Sequence, residues 1–299
     1  MRLVTFTPRA GDGREIGDGR GTTRVGALVE DGVLDLSDAL GVADLTELLR
    51  RDLLGAARDV VARGGGSVRS REAVRLEPPV RPRAVLCIGY NYRGHTGDVP
   101  DPEFPDVFVK TPNTVIGPED RLLLPPESQC VDYEAEVAVV IGRSCRAVTP
   151  ETALDHVAGY TIFDDVSARD WQGRTSQWTL GKSFDTFGPL GPALVTPDEL
   201  GDPQVLDVEL RHNGRLTVSS STARMIFTMA DLVSYVSQAI TLEPGDVIAT
   251  GTPQKLPEAL AAPAPLADGD VVEISITGLG TLRTAVTAAP DPRGSGAPR

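Results

Sequence analysis

Through residues 131–142 the chain alternates. Val131, Tyr133, Ala135, Val137, Val139 and Ile141 are apolar or aromatic, and the positions between them begin Asp132, Glu134, Glu136 before turning apolar at Ala138 and Val140. A period of two predicts one β-strand whose second face opens on three acids. Carboxylates two residues apart on one strand face lie about 6.6–6.8 Å apart at their Cα atoms. They repel unless water or a cation stands between them, and acidic oxygen clusters suit Mg²⁺, Mn²⁺ or Ca²⁺. A solvated strand face would give the same pattern.

Further strands are predicted at 3–6, 25–29, 33–36, 84–88, 160–163, 247–250, 271–276 and 282–286, with a hairpin turn at Asp31-Gly32. Leu45, Leu48, Leu49, Leu53 and Ala57 recur at helical spacing behind Asp44, a suitable N-cap. Thr149-Pro150-Glu151 reads as a helix start, and Met229, Leu232, Val233, Val236 and Ile240 mark another amphipathic helix. Glu77-Pro78-Pro79-Val80-Arg81-Pro82 can continue neither a helix nor an interior strand. The expected organisation is a small N-terminal module at 1–75, a linker at 76–83, a larger module at 84–288 and a disordered tail at 289–299. Within the larger module, Pro/Ala-rich 255–268 is expected to be a loop.

Composition narrows the function. With 29 basic and 42 acidic side chains the net charge is −13, which argues against a nucleic-acid surface and against anionic membranes. An anionic substrate would then need local positive charge. Cys87, Cys130 and Cys145 are too few and too scattered for a disulfide framework and are expected to be reduced, buried thiols. There is no signal-like N-terminus and no run of about 18 apolar residues, so the expected location is cytoplasmic.

Candidate chemistry gathers in three more segments. The strand at 160–163 ends in Asp164-Asp165, where a carboxylate could complete a site begun by Glu134 and Glu136. Arg169 and Gln172 follow Asp165 at helical spacing and could share its face, and Lys182 comes soon after. In isolation, an ion pair to Asp165 or Asp170 would be the plainer role for Arg169. Upstream, His95 sits in a polar, glycine-flanked loop with Asp98 three residues on, a setting for a general base, although a lone loop histidine is more often simply exposed. His156 and His212 lack such company and are expected to be structural. Downstream, the strand at 247–250 runs into Gly251-Thr252-Pro253, a loop whose backbone N–H groups could meet an anion.

Taken in order, these segments resemble the fumarylacetoacetate hydrolase family. The resemblance rests on Asn91-Tyr92-x-x-His95, Asp132-Tyr133-Glu134-x-Glu136, Asp165-Val166-Ser167-Ala168-Arg169-Asp170-x-Gln172, Gly181-Lys182-Ser183-Phe184-Asp185, Gly188-Pro189-Leu190-Gly191-Pro192, Met225-Ile226-Phe227 and Thr250-Gly251-Thr252-Pro253. It implies an α+β, mostly β fold: a mixed β-sheet roll preceded by a small N-terminal α/β domain, in a homodimer. It implies Glu134, Glu136 and Asp165 as ligands of Mg²⁺ or Mn²⁺, with Ca²⁺ also accommodated. His95 with Asp98 would be the base. Lys182 and Arg169 would meet developing charge, and Gln172, Thr250, Tyr92 and Gly251 would hold a small anionic 2-oxo acid. A metal and two cations beside such an acid would stabilise an enolate. The expected reaction is hydrolysis of a C–C bond in an acylpyruvate-type substrate, with decarboxylation, isomerisation and mere ligand binding as rivals.

Three departures from the family pattern point to an unusual substrate. Asp98 stands where glutamate is usual. Gln254-Lys255-Leu256-Pro257 replaces a run of small residues and Gly-Val-Gly. Val218 stands where many members carry glutamine.

Overall fold

The computed structural model describes residues 1–9, 22–94 and 100–290. Among these residues the fold is mostly β, with few and short helices around a twelve-stranded sheet and a five-stranded one. This is the α+β, mostly β class expected from the sequence.

The centre of the large sheet positions the site. Strand Ala135–Ile141 pairs antiparallel with Val157–Asp164 on one side and with Val247–Ala249 on the other. Val247–Ala249 pairs in turn, in parallel, with Val85–Gly89. Ala135 lies opposite Asp164, Ala138 opposite Ala249, and Ala249 opposite Cys87. Following these registers past the strand ends brings Glu134, Asp165, Thr250 and Gly89 to the same end of the sheet.

Both faces of Ala135–Ile141 are buried, against different partners. Val137, Val139 and Ile141 pack in a core with Val208, Leu210, Ile274 and Leu282 of the five-stranded sheet. Ala138 and Val140 pack with Leu45, Leu48 and Leu49 of the N-terminal helix and with Val85 and Cys87. This explains the change from acid to apolar along the second face: its far end is roofed by helix, and its near end opens on a cavity. Each valine, leucine or isoleucine so buried contributes about 1.5–3 kcal/mol.

Three expected elements differ in detail. The single strand across 131–142 is two, Val131–Asp132 and Ala135–Ile141, with a break at Tyr133-Glu134. The break arises because Glu134 uses its N–H on the Asp164 carboxylate (2.9 Å) and its carbonyl on the Asp165 N–H (3.0 Å), leaving the strand ladder. The helix behind Asp44, whose carboxylate accepts the Glu47 N–H, stops at Arg50 and restarts as Leu54–Ala62. Asp52, at φ +50°, turns the chain between them. The loop across 255–268 contains a short helix, Pro257–Ala261, with proline at its first turn.

The N-terminal strand Arg2–Pro8 is hydrogen-bonded to Gly188–Val195 of the large sheet. Cys87, Cys130 and Cys145 are free thiols; Cys87 and Cys145 are buried, and Cys130 is half-buried. His212 is held by Asp270 (2.7 Å) and lies against the Tyr133 ring. No helix among the described residues is long and apolar enough to cross a membrane.

Candidate functional site

Glu134 stands at the strand break, Glu136 is the second residue of the strand that follows, and Asp165 comes just beyond the end of Val157–Asp164. Their carboxylate oxygens lie within 4.8 Å of one another, and all three residues are buried. Three hard oxygen donors at that spacing suit a hard divalent cation.

The charges around the triad are unevenly satisfied. Lys182 Nζ donates to Glu134 Oε2 and Asp165 Oδ2, both at 2.7 Å. Arg169 Nη2 lies 2.6 Å from Glu134 Oε1. Lys110 Nζ donates to Asp165 Oδ1 at 2.7 Å. Glu136 forms no ion pair among the described residues and accepts only the Gly251 N–H, at 2.8 Å. Burial and the neighbouring Asp165 and Glu134 charges push its carboxyl well above the usual carboxylate range. Burial also pushes the Glu134 carboxyl up, but Arg169 and Lys182 outweigh it and the net shift is down. For Lys182, burial works against the charged form, yet Asp165 and Glu134 hold the ammonium protonated. Lys182 is thus a fixed cation, and Glu136 is the member of the triad left short of positive charge. The donor set fits a divalent ion on that ground as well as on spacing.

A cavity of about 410 Å³ opens over these groups, lined by Glu134, Glu136, Arg169, Gln172 and Lys182 on its polar side and by Tyr90, Phe108 and Trp178 on its aromatic side. Arg169 and Gln172 come from the short helix Arg169–Gln172, and Lys182 ends the next one, Thr179–Lys182. Glycine is required at 181, because a Cβ there would fall 2.5 Å from the Gln172 N. That approach brings Lys182 beside Arg169. Asp165 precedes the helix rather than joining it, separated by the short strand Ser167–Ala168 that pairs with Val131–Asp132, so the expected shared helical face does not form. The expected partner of Arg169 also differs. Its Nε and Nη2 donate to Asp132 Oδ2 (3.1 and 3.0 Å) and its Nη1 to Gln172 Oε1 (3.0 Å), while Asp170 accepts from Ser128.

Other sequence candidates fall differently. Thr250 is fully buried, its hydroxyl donating to the Val137 carbonyl at 2.9 Å, and Thr252 lines the cavity in its stead. Gly251, at φ +94°, turns its N–H onto Glu136. Tyr92 is in the core, its hydroxyl buried with no partner among the described residues, whereas Tyr90 reaches the cavity. His95 and Asp98 lie outside the described residues. Sequence reasoning passed over Lys110, whose ammonium is wholly buried against Asp165, because its partners are 55 residues away.

The model of the fumarylacetoacetate (FAA) hydrolase C-terminal domain matches residues 84–287. The chain belongs to the fumarylacetoacetate hydrolase family. A Bos taurus member named oxaloacetate tautomerase FAHD2B, mitochondrial, is 42% identical over 290 residues, covering 94% of this chain and 90% of the relative. Among solved structures, fumarylacetoacetate hydrolase from Exiguobacterium antarcticum is 36% identical with a TM-score of 0.80. Maleylpyruvate hydrolase from Sphingobium sp. SYK-6, in complex with manganese(II) and pyruvate, is 29% identical with a TM-score of 0.79. Each structural alignment covers 97% of this chain and 100% of the other. The manganese and pyruvate belong to that relative.

Proposed function

We propose that the protein is a divalent-metal-dependent enzyme that interconverts the enol and keto forms of a small 2-oxo dicarboxylic acid, with oxaloacetate as the first candidate. The observation that carries this reading is the buried triad Glu134, Glu136 and Asp165 opening on a cavity beside two fixed cations, Lys182 and Arg169. The tautomerase name of a relative at 42% identity supports the choice of reaction.

A hard divalent ion on the triad, whether Mg²⁺ or Mn²⁺, would supply Lewis acidity toward the adjacent oxygens of a 2-oxo acid. The chain's own residues do the rest. Arg169 presents a guanidinium to the substrate carboxylate, oriented by Asp132 and Gln172. Gln172 accepts from Arg169 through Oε1, leaving its NH₂ to donate. Lys182 offsets charge building on the C2 oxygen, and burial makes that offset larger than it would be in water. The aromatic wall of Tyr90, Phe108 and Trp178 limits water at the reacting carbons. Ketonisation takes a proton from the enol hydroxyl and adds one at C3, and we assign that transfer to His95 with Asp98 from their sequence setting.

Hydrolytic C–C cleavage, the reaction first expected, uses the same enolate and adds attack by water at the far carbonyl. Enol–keto exchange asks less of the site. The test follows the decay of enol oxaloacetate under wild-type protein and under Lys182→Met. The variant should lose about 10²-fold or more in kcat/KM, the scale of a removed electrostatic stabiliser. An unchanged rate would refute the assignment, and release of pyruvate from acetylpyruvate faster than enol decay would make the protein a hydrolase.

A further inference from the structure

A second cavity, of about 270 Å³, shares Glu134, Arg169 and Thr252 with the first, so those three residues form the seam between the two. Its own walls are mostly apolar, with Val218 on one side and Ala259 and Leu260 on the other, and its cation is Lys255. Residues from two of the three departures from the family pattern, Val218 and the Gln254-Lys255 half of the replaced loop, therefore line one space.

That space is built rather than incidental. The Leu256 N–H donates to the Thr217 carbonyl (2.8 Å), and Arg215 Nη2 donates to the Glu258 carbonyl (2.8 Å), tying the segment to strand Arg215–Ser221. Lys255 Nζ pairs with Asp132 Oδ1 and lies 4.1 Å from the centre of the Tyr133 ring. Because Asp132 also holds Arg169, one carboxylate fixes both cations, one at the seam and one beyond it.

Size and charge indicate the occupant. The first cavity alone falls within the ~300–1,000 Å³ typical of small-molecule sites. The second is surplus to a four-carbon acid. Among the described residues, the charged side chains lining the two are Asp132, Glu134 and Glu136 against Arg169, Lys182 and Lys255, three of each sign, and beneath them Asp165 faces Lys110. A divalent ion on the triad leaves these described residues with an excess of two positive charges, which a dianion would neutralise.

We propose that this second cavity is a subsite for the far end of an elongated 2-oxo dicarboxylic acid, whose chain lies against Val218 and Leu260 and whose terminal carboxylate meets Lys255. The inference rests on the reading of the first cavity as a 2-oxo acid site, and the test separates the two. Metal-loaded full-length protein is titrated calorimetrically with oxaloacetate, with 2-oxosuberate, and with 2-oxooctanoate, which matches 2-oxosuberate in length but ends in a methyl group. Wild type should bind 2-oxosuberate at least about tenfold more tightly than 2-oxooctanoate, and Lys255→Met should abolish that ratio. Leu260→Trp, at an exposed wall position, should weaken both long acids relative to oxaloacetate. The subsite is overturned if Lys255→Met keeps the wild-type ratio, if wild type shows no preference, or if oxaloacetate binds and neither long acid does. Failure of all three acids to bind would defeat the 2-oxo acid reading itself, and the subsite with it.

Discussion

Asp164 stands next to the triad and outside it. One carboxylate oxygen takes the Glu134 N–H, and the other is buried with no partner among the described residues. Burial, partly offset by that N–H, pushes its pKa from 3.8 up to about 7. The folded chain then keeps a proton that the unfolded chain releases, so stability falls as pH rises from 3.8 to about 7. Asp164→Asn keeps the acceptor for Glu134 and removes the titration. In urea unfolding of chelator-treated protein at about pH 5 and about pH 8, the variant should lose less stability between the two than wild type does. An equal loss in both would show that Asp164 does not carry the effect. At this scale the acids were legible in the sequence, because period two puts Asp132, Glu134 and Glu136 on one face and a strand end offers Asp164 and Asp165, while the choice of Glu134, Glu136 and Asp165 came with the family resemblance. Lys110 was not, since nothing in a local pattern reveals which distant carboxylate a lysine will meet. Tyr92 and Tyr90 exchanged places for a local reason: Tyr90 sits at φ +56°, and the turn decides which ring faces the cavity.

Element geometry converts that list of residues into a site. The break at Tyr133-Glu134 frees the Glu134 backbone for Asp164 and Asp165, so two strands are locked together where their carboxylates converge. Alternation of side chains could not reveal the break, because the apolar pattern runs through it unchanged. The close approach at Gly181 is equally hidden from periodicity. Gly181→Ala sets a Cβ against backbone that cannot yield, so the helices Arg169–Gln172 and Thr179–Lys182 must part. That should cost about 1–3 kcal/mol in denaturant unfolding and carry Lys182 away from Glu134, with loss of turnover. A fully active, equally stable variant would mean that the spacing of these two helices is not what sets the site. Among the helices the sequence was most informative about a start at Asp44, whose carboxylate does cap the helix, while the reciprocal cap of Thr228 and Asp231 on Met229–Ala239 went unread. It was least informative at Asp52, where a single residue of positive φ split one expected helix into two.

Across the molecule, the large sheet presents one face with two environments. Its apolar end is closed by the N-terminal helix, and its acidic end opens on the cavities. Class and family were legible because short blocks in a fixed order span most of the chain, whereas the second cavity emerged only when Val218 and Lys255, 37 positions apart in sequence, were found on its walls. The net charge of −13 does not bar the proposed anion site, because Arg169 and Lys182 are held there by Asp132, Glu134 and Asp165. The account stands on the triad acting with a divalent ion. Its most direct test is the rate of enol oxaloacetate decay under protein stripped with chelator and then titrated with Mg²⁺ or Mn²⁺. The account predicts that the stripped protein falls to the uncatalysed rate and that activity returns with added ion, in wild type and not in Glu136→Gln. Full activity in the stripped protein would contradict it.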